Sequence, residues 1–178
     1  MIDQILHYWF TDGDFDRWFK SGDKYDEEIK YYFENILKDA EKMKLLKWIE
    51  TKKGYIAYII LLDQFSRQIY RNKSDAYKND YHALYFMECG LNMYMNELTA
   101  IEKLFVLMPY QHVENLYYQK KGCDILSKLV QKEKRKKEKA ILENALFHQI
   151  GHYNVVKQFG RFPKRNIILK RQSTPNEL

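Results

Sequence analysis

Tyr55-Ile56-Ala57-Tyr58-Ile59-Ile60-Leu61-Leu62-Asp63-Gln64-Phe65-Ser66-Arg67-Gln68-Ile69-Tyr70-Arg71 decides the reading of this chain. Its first eight residues form the most apolar run in the sequence. An acid, an amide and two arginines follow directly, where the chain reads as most deeply buried. Buried charge costs several kcal/mol per ion unless it is paired and hydrogen-bonded. At helical spacing Asp63 and Arg67 are i,i+4 partners, with Gln64 and Arg71 flanking them. Tyr58, Leu62, Phe65 and Ile69 fall on an adjacent, core-seeking face. The stretch therefore predicts a buried helix with one polar face, which is either an ion pair tying helices together or part of a site.

Working outward, helical periodicity recurs and sustained period-2 alternation does not. Ile29, Tyr32, Phe33, Ile36 and Leu37 make one apolar stripe. Tyr77, Tyr81, Leu84, Leu91 and Met95 make a second, Leu116, Cys123, Leu126 and Val130 a third, and Ile141, Ala145, Val155 and Phe159 a fourth. Thr99-Ala100-Ile101-Glu102 is a capping box. Pro109 is expected to start a helix, and Gly160 to end one. The expectation is an all-α, single helical domain over 1–178. Its helices fall near 2–10, 23–39, 41–50, 55–71, 75–96, 99–107, 110–131 and 138–159, with a short one after Pro163.

Composition narrows the class. Among 178 residues, 46% are hydrophobic and 30% charged, enough for a core inside a soluble chain. No apolar run approaches the roughly 20 residues a membrane span needs, so no membrane association is expected. Met1-Ile2-Asp3-Gln4 lacks the basic start of a secretory signal. Cys89 and Cys123 lack metal-binding spacing, and a reduced, cytoplasmic chain is expected. The net charge of +6 is uneven: between Lys132 and Arg171 there are 12 Lys and Arg against 3 acids. That basic 132–171 region makes RNA a candidate partner, although codon bias toward lysine would give the same pattern.

Four groupings carry chemistry. Asp63, Gln64, Arg67 and Arg71 are the first. The second is Met108-Pro109-Tyr110-Gln111-His112-Val113-Glu114, where a helix starting at Pro109 would place His112 and Glu114 in its first turn, with Gln119 near the face of His112. His148 and His152 are an i,i+4 pair, but no acid or Cys cluster completes a metal set; no metal and no cofactor is expected. The fourth is Gln158-Phe159-Gly160-Arg161-Phe162-Pro163-Lys164-Arg165-Asn166. Here a Gly/Pro corner presents Arg161, Arg165 and Asn166, and planar guanidinium groups grip carboxylate or phosphate with two bonds. These groups would also serve to satisfy Asp63 and Asp80 from a distant part of the chain. No Gly-rich phosphate loop, nucleophile elbow or Cys-His dyad is present.

Several segments, in order, resemble one family. They are His7-Tyr8-Trp9-Phe10, Trp18-Phe19, the Leu61–Arg71 stretch, Ala76-Tyr77-Lys78-Asn79-Asp80, Leu107–Glu114, Gly160–Asn166 and Ser173-Thr174-Pro175. The likeness is to the mainly bacterial "domain of unknown function 924" family and spans nearly the whole chain. It implies a tetratricopeptide-like stack of antiparallel helices, without an assigned activity. The family pattern falls on Asp63, Gln64, Arg67, Arg71, Asp80, His112, Glu114, Gln119, His152, Gly160, Arg161, Phe162, Pro163, Arg165, Asn166 and Arg171. The chain departs at Ser66, Val113, Gln158 and Lys164, where the family usually carries Pro, Ser, Arg and His.

Three functions remain open on the sequence. One is a cleft for a small anionic molecule or an acidic peptide or protein, bound through Asp63, Gln64, Arg67, Arg71, Asp80, Gln119, His152, Arg161, Arg165 and Asn166. Another is an enzyme in the same cleft, a hydrolase or transferase at a phosphate or acyl centre, with His112 or Glu114 as acid/base beside the arginines. The third is a protein-binding scaffold whose polar cluster only locks helices. The oligomeric state is left open.

Overall fold

The computed structural model describes residues 1–12, 18 and 23–178. Phe19, one of the motif positions, lies outside the described residues. Among the described residues the protein is all-α and no strand occurs. The seven helices are α1 (Ile2–Leu6), α2 (Asp23–Glu41), α3 (Lys52–Ile59, continued to residue 69), α4 (Asp80–Tyr94), α5 (Ala100–His112), α6 (Leu116–Lys132) and α7 (Lys136–Phe159). Tertiary contacts divide the chain into two compact units, Met1–Tyr94 and Met95–Leu178.

In the first unit α3 is the centre. Every residue from 54 to 66 is buried, so this helix has no solvent face over that length. Thr51 caps its start by accepting from the Gly54 N–H. α2 packs along its second half, through Ile29, Phe33, Leu37 and Ala40. α4 packs against it through Ala83, Leu84, Met87 and Gly90. A Cβ on Gly90 would lie 2.3 Å from the Tyr55 ring, and the close approach lets the Tyr55 hydroxyl donate to the Met87 carbonyl at 2.6 Å. Tyr32 and Tyr81, expected on the buried stripes, are more than half exposed.

The α3 backbone departs from the expected α-helix at the diagnostic stretch. Ile60–Phe65 is π-helical, and Ser66–Ile69 returns to α. A π-turn holds one more residue per turn and is frequent at functional positions. Asp63 and Gln64 both lie in it. His7–Thr11, continuing α1, is the second π-turn and buries Tyr8 and Trp9.

In the second unit α7 packs on α6 and α5. The capping box forms as expected, with Thr99 and Glu102 bonded reciprocally. Three expectations fail here and in the first unit. The region 41–50 is a turn followed by a 3-10 helix, Leu46–Glu50, with Met43 in the left-handed region. The helix expected over 75–96 is split into a 3-10 turn, Ser74–Tyr77, and α4. Pro109 does not start a helix; it lies inside α5, which runs on to His112. The next helix starts at Asn115, whose side chain accepts from the Tyr117 and Tyr118 N–H groups and is the stronger start signal. His112 is therefore at a helix C-terminus, and Glu114 is in the connector.

The buried stripe of α7 is Leu142, Ala145, Gln149 and Val156; it shares Ala145 with the expected stripe, but Leu142 and Val156 replace Ile141 and Val155 as buried positions. Val155 and Phe159 belong instead to a second apolar stripe, which stays partly open.

Candidate functional site

Each unit contains one cluster of the expected polar residues. In the first, Gln64 Nε2 donates to Asp63 Oδ2 at 2.5 Å. Arg67 Nη2 donates to Asp80 Oδ1 at 2.5 Å and stands 3.8 Å from Asp63 Oδ1. The Asp63 side chain is fully covered, and Arg67 keeps a fifth of its surface exposed. The Arg67 guanidinium also lies 5.6 Å from the centre of the Tyr77 ring. Arg71 is directed elsewhere: its Nε and Nη2 form a fork on the Asp26 carboxylate of α2. The polar face read from the sequence is thus two pairings, one joining α3 to α4 and one joining α3 to α2. Asp80 is paired by Arg67, thirteen residues away, within the same unit.

In the second unit the polar residues gather at the end of α5 and the corner after α7. Glu114 is the hub. It accepts from Arg171 Nη1 at 2.5 Å, from Arg171 Nη2 at 2.9 Å and from the Phe162 N–H at 2.8 Å. Burial pushes its carboxyl pKa up, but the Arg171 and Phe162 hydrogen bonds and the charges of Arg171 and Arg165 outweigh that, so it is lowered. Glu114 is thereby held as a carboxylate that ties the corner to the α5–α6 connector.

His112 is fixed through its backbone. Gln119, fully buried, donates from Nε2 to the carbonyls of Gln111 and Val113 at 2.8 and 2.9 Å. Arg165 Nη2 donates to the carbonyl of His112 itself at 2.8 Å. Three consecutive carbonyls that a helix end leaves unsatisfied are each taken. The His112 ring stands 6.3 Å from that of His152, which stands 5.5 Å from that of Phe162; the Arg165 guanidinium lies 4.6 Å from the centre of the Phe162 ring. His152 Nδ1 donates to the His148 carbonyl at 2.9 Å.

Arg161 and Asn166 converge on a carboxylate the sequence did not single out. Arg161 Nε and Nη2 donate to Glu177 at 2.6 and 2.7 Å, and Asn166 Nδ2 reaches it at 3.2 Å. The signal was present: Thr174-Pro175-Asn176-Glu177 is a capping box with Pro in the first position. Gln149 was missed as well. It donates to the Gln119 carbonyl and side chain at 3.1 and 2.8 Å, and a lone amide on the α7 stripe could have marked it.

Beside this corner runs a groove of about 650 Å³ lined by Phe147, His148, Ile150, Gly151, His152, Asn154, Val155, Phe159, Phe162, Pro163, Lys164 and Glu177. Phe147 is 73% exposed and Ile150 43%. Among the described residues no group of three His, Cys, Asp or Glu is placed to hold a metal ion, and no helix is long and apolar enough to cross a membrane.

The model of a family described as "Bacterial protein of unknown function (DUF924)" matches residues 5–178. The chain belongs to this family. The solved structure of a protein of unknown function, ATU0120 from Agrobacterium tumefaciens, is similar to it with a TM-score of 0.87 at 28% identity, over 99% of this chain and 93% of that one. No curated protein matches. Family membership extends across both clusters, and the likeness to ATU0120 is consistent with the all-α fold described above.

Proposed function

We propose that this family member binds a small carboxylic acid with an apolar body, lodged in the groove along α7. The observation that carries the reading is the composition of the groove wall. Apolar Phe147, Ile150, Val155, Phe159 and Phe162 share it with His148, His152 and Lys164. Small-molecule sites are about 300–1,000 Å³, mostly apolar, with a few polar groups that orient the ligand; this groove fits that description. The charge of the surrounding unit favours an anion, since residues 95–178 carry 16 Lys and Arg against 8 acids.

Calorimetric titration with butanoate, octanoate and 1-octanol tests this. Octanoate should bind more tightly than butanoate, because each buried CH₂ contributes about 0.8 kcal/mol. It should also bind more tightly than the uncharged alcohol, and Phe147→Ser should weaken it. Equal affinity for octanoate and 1-octanol would remove the anionic part of the reading; no binding of octanoate would remove all of it.

A second reading, acid–base chemistry by His112, is favoured by one observation: the three hydrogen bonds, two from Gln119 and one from Arg165, that fix the backbone at and beside it. A poised acid or base needs such fixation. An NMR titration of the His112 ring with and without octanoate tests it, and an unchanged titration curve would count against it.

A further inference from the structure

The groove wall holds a contradiction for an acidic ligand. Glu177 lines it, and its carboxylate would repel the group the rest of the wall favours. That carboxylate is seated in a site built for one: the Arg161 fork, Asn166 Nδ2 and the Thr174 N–H at 2.7 Å. Its side chain is only 2% exposed, whereas Arg161 keeps 26%. The segment that delivers it is attached differently from the rest of the unit. Gln172, Thr174, Pro175, Asn176 and Leu178 are exposed, and no apolar residue from 172 to 178 is buried. Polar contacts alone hold the final turn, and segments held that way open at low free-energy cost.

We propose that the final turn, Pro175–Glu177, is a ligand in cis: the Arg161–Asn166 site is a carboxylate-binding site that Glu177 occupies until an external carboxylate displaces it. This rests on the reading of the groove as an acid-binding site and deepens it. The incoming acid takes the Arg161 fork, Glu177 swings into solvent, and the repulsion at the groove wall is relieved. Affinity for an acid therefore carries the cost of releasing the turn, which acts as an internal competitor.

The test compares octanoate binding by the wild-type chain, Glu177→Gln and Glu177→Ala. Hydrogen exchange at the Thr174 and Glu177 amides is followed in the wild type. Removing the competitor should tighten octanoate binding about tenfold, the change expected when a charge-assisted fork is vacated. Octanoate should also deprotect both amides in the wild type, while 1-octanol should not. If the wild type binds octanoate and both variants bind it equally or more weakly, the in-cis competitor is refuted and the groove reading stands. If none of the three chains binds octanoate, both are refuted. Glu177→Ala guards against a local effect of the new glutamine, because it removes the side-chain amide as well as the charge.

Discussion

The acid–arginine cluster on α3 and the one at the C-terminal corner use the same chemistry with opposite mechanical consequences. In the first, the arginine and both acids project from helices whose apolar faces are buried on each side, and the side chains of Asp63 and Asp80 are 0% and 7% exposed. In the second, the Glu177 carboxylate is as well covered, but the segment carrying it buries nothing apolar. What differs is the attachment of the backbone rather than the quality of the ion pair. A fork between two well-packed helices constrains the fold. The same fork on a turn that buries nothing apolar is what the proposed latch requires.

The largest effect should come from breaking the first cluster. Arg67→Ala leaves Asp80 and Asp63 buried with their arginine removed, and loss of one partner of a buried pair costs about 3–5 kcal/mol. Urea unfolding followed by tryptophan emission reports it, because Trp9, Trp18 and Trp48 all belong to the first unit. A loss below about 1 kcal/mol, the value of a surface pair, would place Arg67 with the exposed pairs and collapse the contrast.

A smaller loss is expected at Gln119, the buried polar anchor of the second unit. Gln119→Ala strands the carbonyls of Gln111 and Val113 and removes one of the two acceptors of Gln149 Nε2, leaving the backbone carbonyl. Unsatisfied buried groups cost about 1–3 kcal/mol each, before relaxation. Global hydrogen exchange of α5 and α6 measures it. If the loss appears while octanoate affinity survives, Gln119 serves the core alone; if the His112 ring signal also shifts, it positions that side chain.

The general architecture was legible because it depends on local signals. Caps, glycines and apolar spacing marked the helices, and family motifs marked the polar residues. Four features were not legible, for physical reasons. The π-turn at Ile60–Phe65 requires one extra residue in a turn, and a fully apolar run has no periodicity to reveal the change of phase. Pro109 was read as a helix start because a proline interrupts the ladder, but packing of Leu104–Gln111 in the core holds α5 through it. Glu177 lies sixteen residues from Arg161, beyond any helical spacing, and only three-dimensional proximity pairs the two. The expected α7 stripe was right at Ala145 and wrong at its flanking positions because the helix has two apolar faces. The sequence pattern picked up residues of the open face along with the packed one, and the open face lines the groove.

The smallest expected effect is the one that most directly tests the latch. The hydrogen bonds from Arg161, followed by that from the Thr174 N–H, hold the Glu177 carboxyl at about 2, against an ordinary 4.5. A depressed carboxyl pKa means that closure of the turn is fully favoured above 4.5; the advantage shrinks as pH falls below that value and is gone once pH drops through about 2. Carbon-detected NMR of the Glu177 carboxyl should therefore show a midpoint near the lower value, and Arg161→Gln should return it toward the ordinary one. Tryptophan emission at neutral pH should not change in that variant, since a latch contributes little to packing in the first unit. A Glu177 midpoint at the ordinary carboxyl value in the wild type would mean that the turn is already open in solution. Arg161 would then be available to ligands without competition, and the corner would lose the feature that distinguishes it from an exposed pair.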